Sequence, residues 1–414
     1  MKTNMNSHDR IMYAINHQEP DHVPLYFLFY NYGDMYDRRS NFSFGNQWRY
    51  DARREFSGKN YIKRVEETLK LGLDDTLRIE PPLGMAEGYI AEGVKNIKTK
   101  VEKYYSEDKS EEIIEKTYIT PEGNLKVIVK KPEHWPHGDN IILFSDFNVP
   151  VTKKFLTETY DDLKSLKYLL GQPRNEEYRK FKEEAFELRK AAKRLGVVLE
   201  GGWTALGDSL VWLLGILGMI MAQYDKPDFI TEILELLCEW EEKRVEIIIN
   251  EGIEILGHSA WYEITDFWTP DLYRKILKPK NSRLIQMAKQ ADVKFTYIVT
   301  KSIKELLDDY IEMGIDSIMG VDPVQGDADL KALGEKIGSK ICLWGGINSA
   351  ITLGKDSNEE DINKAVEDAI KYLAPGGGFV LYPVDVISAD ANPWDNIEIM
   401  LKKWKEIGSY PINL

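Results

Sequence analysis

VKFTYIVTKSIKELLDDYIEMGIDSIMGVD, residues 293–322, decides how the fold is read. VKFTYIVT at 293–300 and IDSIMGVD at 315–322 are each short, continuous and apolar, and the stretch 303–313 between them is spaced as an amphipathic helix. A strand that is apolar throughout must be covered on both faces, and strands that alternate with helices achieve this in a parallel sheet. The same unit recurs outward in both directions. VVLEGGW at 197–203, IEILGHS at 253–259, KICLWGG at 340–346 and GFVLYP at 378–383 are further strands, with helical segments at 230–249, 273–291 and 359–373. Upstream, VPLYFLF at 23–29 and DDTLRIE at 74–80 bring the number of strands to eight.

Eight such units in a chain of 414 residues predict an α/β fold, a (β/α)8 TIM barrel, with a doubly wound open sheet as the alternative. The barrel is preferred because no strand runs into GxGxxG or GxxxxGK[ST]; the glycines of EGGW, WGGI and PGGG lack that spacing. Residues 1–414 read as one domain with a β-hairpin inserted at about 97–135, where IIEKTYIT and LKVIVKK alternate with period two about PEGN. The charged stretch 160–195 reads as a solvated helical face broken once at Pro173.

Composition narrows the partners. Lys+Arg total 54 against Asp+Glu 68, a net charge of -14, which argues against nucleic acid or an anionic membrane as the main partner. Two cysteines, Cys238 and Cys342, lie far apart, so no disulfide framework or cysteine-rich zinc knuckle is encoded, and a cytoplasmic location is expected. MKTNMNSHDRIMYAINHQEP has no uninterrupted apolar stretch of the signal-peptide kind and reads as the start of the folded protein. LVWLLGILGMIMA at 210–222 is shorter than the roughly 20 residues a bilayer span needs, and reads as a buried helix.

In a barrel, chemistry collects at the C-terminal ends of the strands. Reading those ends in order gives Tyr30 and Tyr32; Glu80; Glu200, Trp203 and Asp208; His258, Trp261, Tyr262 and Glu263; Tyr297, Thr300 and Lys301; Asp322 and Gln325; Trp344 and Asn348; and Tyr382 and Asp385. The densest group falls in GHSAWYEITDFWTP, 257–270, where His258, Glu263 and Asp266 accompany aromatics that a wholly apolar core would not pair with unpartnered charge. Aromatics of this kind stack on flat rings, and the acids suit metal ligation or general acid–base work. Cys342 lies inside a strand and reads as core.

The opening DRIMYAINHQEPDHVPLYF resembles the N-terminal signature of the uroporphyrinogen decarboxylase superfamily. WYEITDFWTPDLYRKILKP, FTYIVTKSIKELLDDYIEMGIDSIMGVDPVQGD and GGGFVLYPVDVISADANPWDN resemble its later blocks, in order, so the resemblance spans nearly the whole chain. It implies a (β/α)8 barrel and one of two activities. The first is cofactor-free decarboxylation of a carboxylated ring, served by an N-terminal arginine-rich motif; that motif is missing, although Arg38 and Arg39 lie in the same loop. The second is corrinoid-dependent methyl transfer between a small substrate and a separate cobalamin-binding protein. The hairpin at 113–131 and the aromatic mouth are similar to that branch, especially to enzymes that demethylate methoxylated aromatics.

The resemblance also has gaps. Methanol- and methylamine-type members hold zinc with an H-x-C pair after strand five and a cysteine after strand eight, and the corresponding positions here are Ile298, Thr300 and Asp385. A thiolate zinc site is therefore not expected; if zinc is held, the candidate ligands are His258, Glu263 and Asp385. The expectation is an O-demethylating methyltransferase using a corrinoid on a partner protein, with a decarboxylase or a non-catalytic tetrapyrrole-binding barrel as alternatives and a homo-oligomer left open. Its expected catalytic residues are Glu263, His258, Tyr297 and Asp385. Trp261, Tyr262, Trp268, Trp203, Tyr30, Asp322, Gln325 and Trp344 are expected around the substrate.

Overall fold

In the computed structural model of the chain, the residues described are 5–28, 59–79, 97–133, 135, 137–141, 143–144, 150–171, 175–385, 387 and 391–414. The strands are β1 (Thr76–Ile79), β2 (Lys98–Tyr105), β3 (Glu112–Thr120), β4 (Gly123–Lys131), β5 (Thr152–Lys154), β6 (Val198–Thr204), β7 (Ile255–Ser259), β8 (Lys294–Ile298), β9 (Ser317–Val321), β10 (Cys342–Asn348) and β11 (Phe379–Val384).

The sheet β1-β6-β7-β8-β9-β10-β11 is parallel throughout and curled. Its two outer strands both meet the segment near Tyr26: Leu25 bridges Leu381 and Tyr26 bridges Asp74, each in the parallel sense. Tyr26 N donates to the Leu381 carbonyl at 3.0 Å and Asp74 N to the Leu25 carbonyl at 2.8 Å. Helices alternate with the strands as a covered parallel sheet requires. Glu359–Leu373 is representative: Asn358 caps it through its side chain, three acids fill its first turn, and Ile362, Val366, Ala369, Ile370 and Leu373 make its buried stripe. Helix starts depart from the sequence reading where caps were ambiguous. The helix expected from 303 begins at Leu307, and the one expected from 273 opens with a π turn, Tyr273–Leu277, before Lys278–Gln290.

Side chains alternate across a strand, so each strand supplies two surfaces. Leu199, Leu256, Phe295, Tyr297, Ile318, Leu343 and Leu381 pack outward with the helices in the main core. Val198, Ile255, Ile298, Met319, Cys342, Trp344, Val380, Tyr382 and Val384 point the other way and form a separate inner cluster with Tyr26. Ile11, Ala14 and Ile15 of the helix Ser7–Ile15 join this inner cluster, and His8 N is bonded to the Gly196 carbonyl just ahead of β6. That helix closes the N-terminal end of the strands, leaving the C-terminal end for a site.

A second, antiparallel sheet has the order β2-β3-β4-β5. Strands β3 and β4 pair antiparallel from Glu112↔Lys131 to Thr120↔Gly123. β2 and β5 were not legible: β2 is exposed along its whole length, so no apolar face marks it. The apolar stretch 210–222 lies in the helix Gly207–Asp225, which is long and apolar enough to cross a membrane. It is 67% buried over its most apolar window, packed on the rest of the chain.

Candidate active site

Strand parity splits the residues of 257–270 between two places. Ile255 belongs to the inner cluster, so Ser259 shares its side and His258 faces outward. There His258 and Glu263 are both wholly buried. His258 Nδ1 lies 2.7 Å from Thr204 Oγ1, and its Nε2 lies 3.0 Å from Glu263 Oε1. Gly207 N also donates to Glu263 Oε1 at 2.9 Å, while Asn281 Nδ2 and Tyr297 OH each donate to Oε2 at 2.6 Å. Tyr297 stacks on His258 with ring centroids 5.1 Å apart, and its hydroxyl lies 3.2 Å from that of Tyr273. Burial alone would raise the Glu263 pKa; the interaction with His258 and the bonds from His258, Tyr297 and Gly207 outweigh it and hold the group below its ordinary value.

This is a correction to the sequence reading. His258, Glu263 and Tyr297 form a closed network on the helix-facing side of the sheet, away from the inner surface. Glu263 already accepts four donors and both ring nitrogens of His258 are engaged, so neither has a lone pair to offer a metal. Asp385, exposed just past β11 with φ 76°, does not join them, and no group of three His, Cys, Asp or Glu that could hold a metal occurs among the described residues. Among the described residues, His258, Glu263 and Asp385 do not come together as a site that fits a zinc ion. Trp268 is likewise a core residue, 1% exposed, its indole N–H donating to the Tyr262 carbonyl at 2.8 Å. Tyr262 is half-buried, with its ring against Phe267.

The inner surface has an aromatic side and a polar side. Tyr26 meets Trp344 and Tyr382 edge-on, with centroids 5.5 and 5.6 Å apart, and Trp261 packs against the same cluster. Beside it, on the other flank of the Tyr26 segment, Arg78 Nη2 and Thr76 Oγ1 donate to Glu200 across β1 and β6 at 3.0 and 2.9 Å. Thr296 and Ser317 hydroxyls lie 2.6 Å apart on β8 and β9. Past the ends of β7, β8 and β9 opens a cavity of about 510 Å³ lined by Trp261, Ile264, Thr300, Lys301 and Gln325. Lys301 stands at its edge with Asp266 at 3.6 Å.

Gln325 is placed by a turn that consumes Asp322. The carboxylate of Asp322 accepts the backbone N–H groups of Val324 and Gln325 and, at 2.7 Å, the side-chain amide of Asn348. Asp322 thus shapes the rim, and Gln325 is the member of the pair that reaches the cavity. Trp344 lies on the inner wall. Cys342 is buried beside it, its thiol pushed far up by burial. Tyr30 lies outside the described residues, and for Trp203 only the backbone, within β6, is described.

Asp208, read from the sequence only as one of several strand-end acids, and Ser259, not singled out at all, meet at the end of β7. Asp208 is the second residue of the helix Gly207–Asp225 and is 4% exposed. Its Oδ1 accepts the Ser259 hydroxyl at 3.0 Å, and its Oδ2 is buried with no partner among the described residues. Burial and the neighbouring Glu263 charge push its pKa up to about 7, against the bond from Ser259. Counting parity from Ile255 would have found Ser259, because it puts 259 rather than 258 on the inner face.

A sequence profile of the family described as uroporphyrinogen decarboxylase (URO-D) matches residues 139–407. A comparison with curated proteins gives no match. Among solved structures, a methyltransferase from Methanosarcina mazei is similar with a TM-score of 0.57 at 13% identity, covering 97% of this chain and 99% of that one. At that identity the likeness concerns the fold. A B12-independent methionine synthase from Shewanella sp. W3-18-1 has a TM-score of 0.44 at 10% identity over 84% of this chain and 88% of its own. The 3-keto-D-glucoside 4-epimerase YcjR from E. coli has a TM-score of 0.35 at 15% identity over 56% of this chain and 93% of its own. Neither of these two bears on function.

Proposed function

Because the chain belongs to the uroporphyrinogen decarboxylase family, we propose that it is a methyltransferase working at the C-terminal mouth of a closed (β/α)8 barrel. It takes a methyl group from a small methoxylated aromatic compound and passes it to the cobalt of a corrinoid carried by a separate protein. The observation that supports this best is the aromatic inner wall of Tyr26, Trp344 and Tyr382, with Trp261 common to that wall and to the cavity of about 510 Å³. A flat ring gains stacking contact on such a surface, and the volume suits one small substrate. That the Methanosarcina neighbour is a methyltransferase agrees with this reading.

The corrinoid, when its carrier docks, supplies the nucleophile. This chain's part is to hold the ring against Trp261 and Trp344, to keep water from the reacting carbon, and to put a proton within reach of the ether oxygen. Gln325 and Thr300 offer hydrogen bonds at the cavity, and Lys301 offers a cation to an anionic ring substituent. The same lysine is what favours the second reading, decarboxylation of a carboxylated ring. Anaerobic mixing of the protein with methoxylated arenes and reduced cobalamin on a carrier protein is expected to produce methylcobalamin absorbance and an equal amount of phenol. Carbon dioxide release with the methoxyl group intact would replace this reading with the decarboxylase, and ligand binding without any turnover would replace it with a non-catalytic tetrapyrrole-binding barrel.

A further inference from the structure

We propose that Asp208 is the group that protonates the departing ring oxygen, with Ser259 holding its carboxyl in place; this rests on the methyl-transfer reading. Four observations carry it. First, Asp208 Oδ2 is buried and without a partner among the described residues, while Oδ1 is tethered by the Ser259 hydroxyl at 3.0 Å. A buried carboxyl oxygen left without a donor is costly unless it is protonated or turned towards a ligand or water. Second, the tether comes from the inner side: Ser259 ends β7 on the face that carries Ile255, and Trp261, two residues on, lines the cavity. Third, the closed network behind it fixes the backbone from which it projects. Gly207 N is bonded to Glu263, and Ala205 N is bonded to the buried Glu241, which is itself paired with Arg244. Fourth, the ionisable groups around Asp208 are Glu263, His258 and Tyr262; burial and the Glu263 charge favour its neutral form, while Ser259 and His258 favour its charged form. The balance leaves the proton available near neutral pH.

In the step, the methyl–oxygen bond breaks and its electron pair stays on the ring oxygen. The methyl group passes to the reduced Co(I) corrinoid of the carrier protein, which contributes the pair for the new bond. The proton moves from Asp208 to the oxygen, and the carboxylate takes another from water when the phenol leaves. Charge balances, since a neutral ether and a neutral acid become a phenol and a carboxylate as the corrinoid loses one negative charge.

The test compares two methyl ethers, 4-cyanoanisole and 4-methylanisole, whose phenols leave easily and poorly. Asp208→Asn is expected to slow demethylation of 4-methylanisole by about 100-fold or more and to change 4-cyanoanisole much less, because an acid helps most where the leaving group is poor. The unaltered protein is expected to lose rate above a pH of about 7, and the variant to lose that limb. Ser259→Ala keeps the acid and removes its tether, so the limb is expected to move to higher pH. Equal slowing of both ethers, or a limb that persists in Asp208→Asn or stays in place in Ser259→Ala, overturns the proposal. No turnover of either ether by the unaltered protein overturns the methyl-transfer reading itself, and the proton donor with it.

Discussion

Glu263 accepts hydrogen bonds from Gly207, His258, Asn281 and Tyr297 while wholly buried, and glutamine cannot reproduce that set because its amide turns two acceptor positions into donors. Glu263→Gln is expected to destabilise the protein by about 3 kcal/mol or more, measured by urea unfolding. The pKa of Glu263 is held below its ordinary 4.5, so its contribution is complete above the unfolded value and is lost as pH falls through the folded one. Unfolding in mild acid is where this group should show. Asp208 has the opposite sign. Its folded pKa is raised from 3.8 to about 7, so stability falls as pH rises through that window. Asp208→Asn cannot ionise, and is expected to be more stable than its parent at pH 8, by at most a few kcal/mol, with the gain shrinking towards pH 4; an equal effect at both pH values contradicts this. The contrast also shows what one residue of register costs a reader. Residues at the end of an apolar strand announce a site, but whether 258 or 259 faces inward depends on parity, and the polar, conspicuous histidine drew the assignment to the wrong face.

At the level of elements, the apolar strands were legible because both their faces are buried, whereas β2, exposed along its length, carried no such mark. Helix starts were less so: nothing in the apolar spacing of 303–313 distinguishes a start at Ile303 from one at Leu307. The helix Gly207–Asp225 hides a break at Gly215, whose φ of 72° favours glycine and whose missing Cβ leaves room for the ring of Phe155. Gly215→Ala must meet both the strained backbone and the ring. It is expected to cost about 1–3 kcal/mol by thermal unfolding. Adding Phe155→Ala should recover the steric part, so the pair should fall short of the sum; strict additivity would contradict the contact.

For the whole molecule, the alternation of strands and helices and the four quoted blocks carried the α/β fold and the family, because both depend on the order of elements rather than on the aim of any side chain. The division between the two faces of the sheet is a property of the folded structure that the order of elements does not carry. The inner face carries the aromatic wall, the polar pair Arg78–Glu200 and Ser259, to which Asp208 is bonded, and the outer face holds the hydrogen-bonded network of His258, Glu263 and Tyr297. What the inner face does chemically is the central claim, and one labelling measurement addresses it. A methoxybenzoate carrying carbon-13 in both its methoxyl and its carboxyl carbons is given to the protein with reduced corrinoid carrier, and the label is followed by NMR. The expected result is transfer of the methoxyl carbon to cobalt with the carboxyl carbon still on the ring; labelled carbon dioxide beside an intact methoxyl group, or no loss of either label, would contradict it.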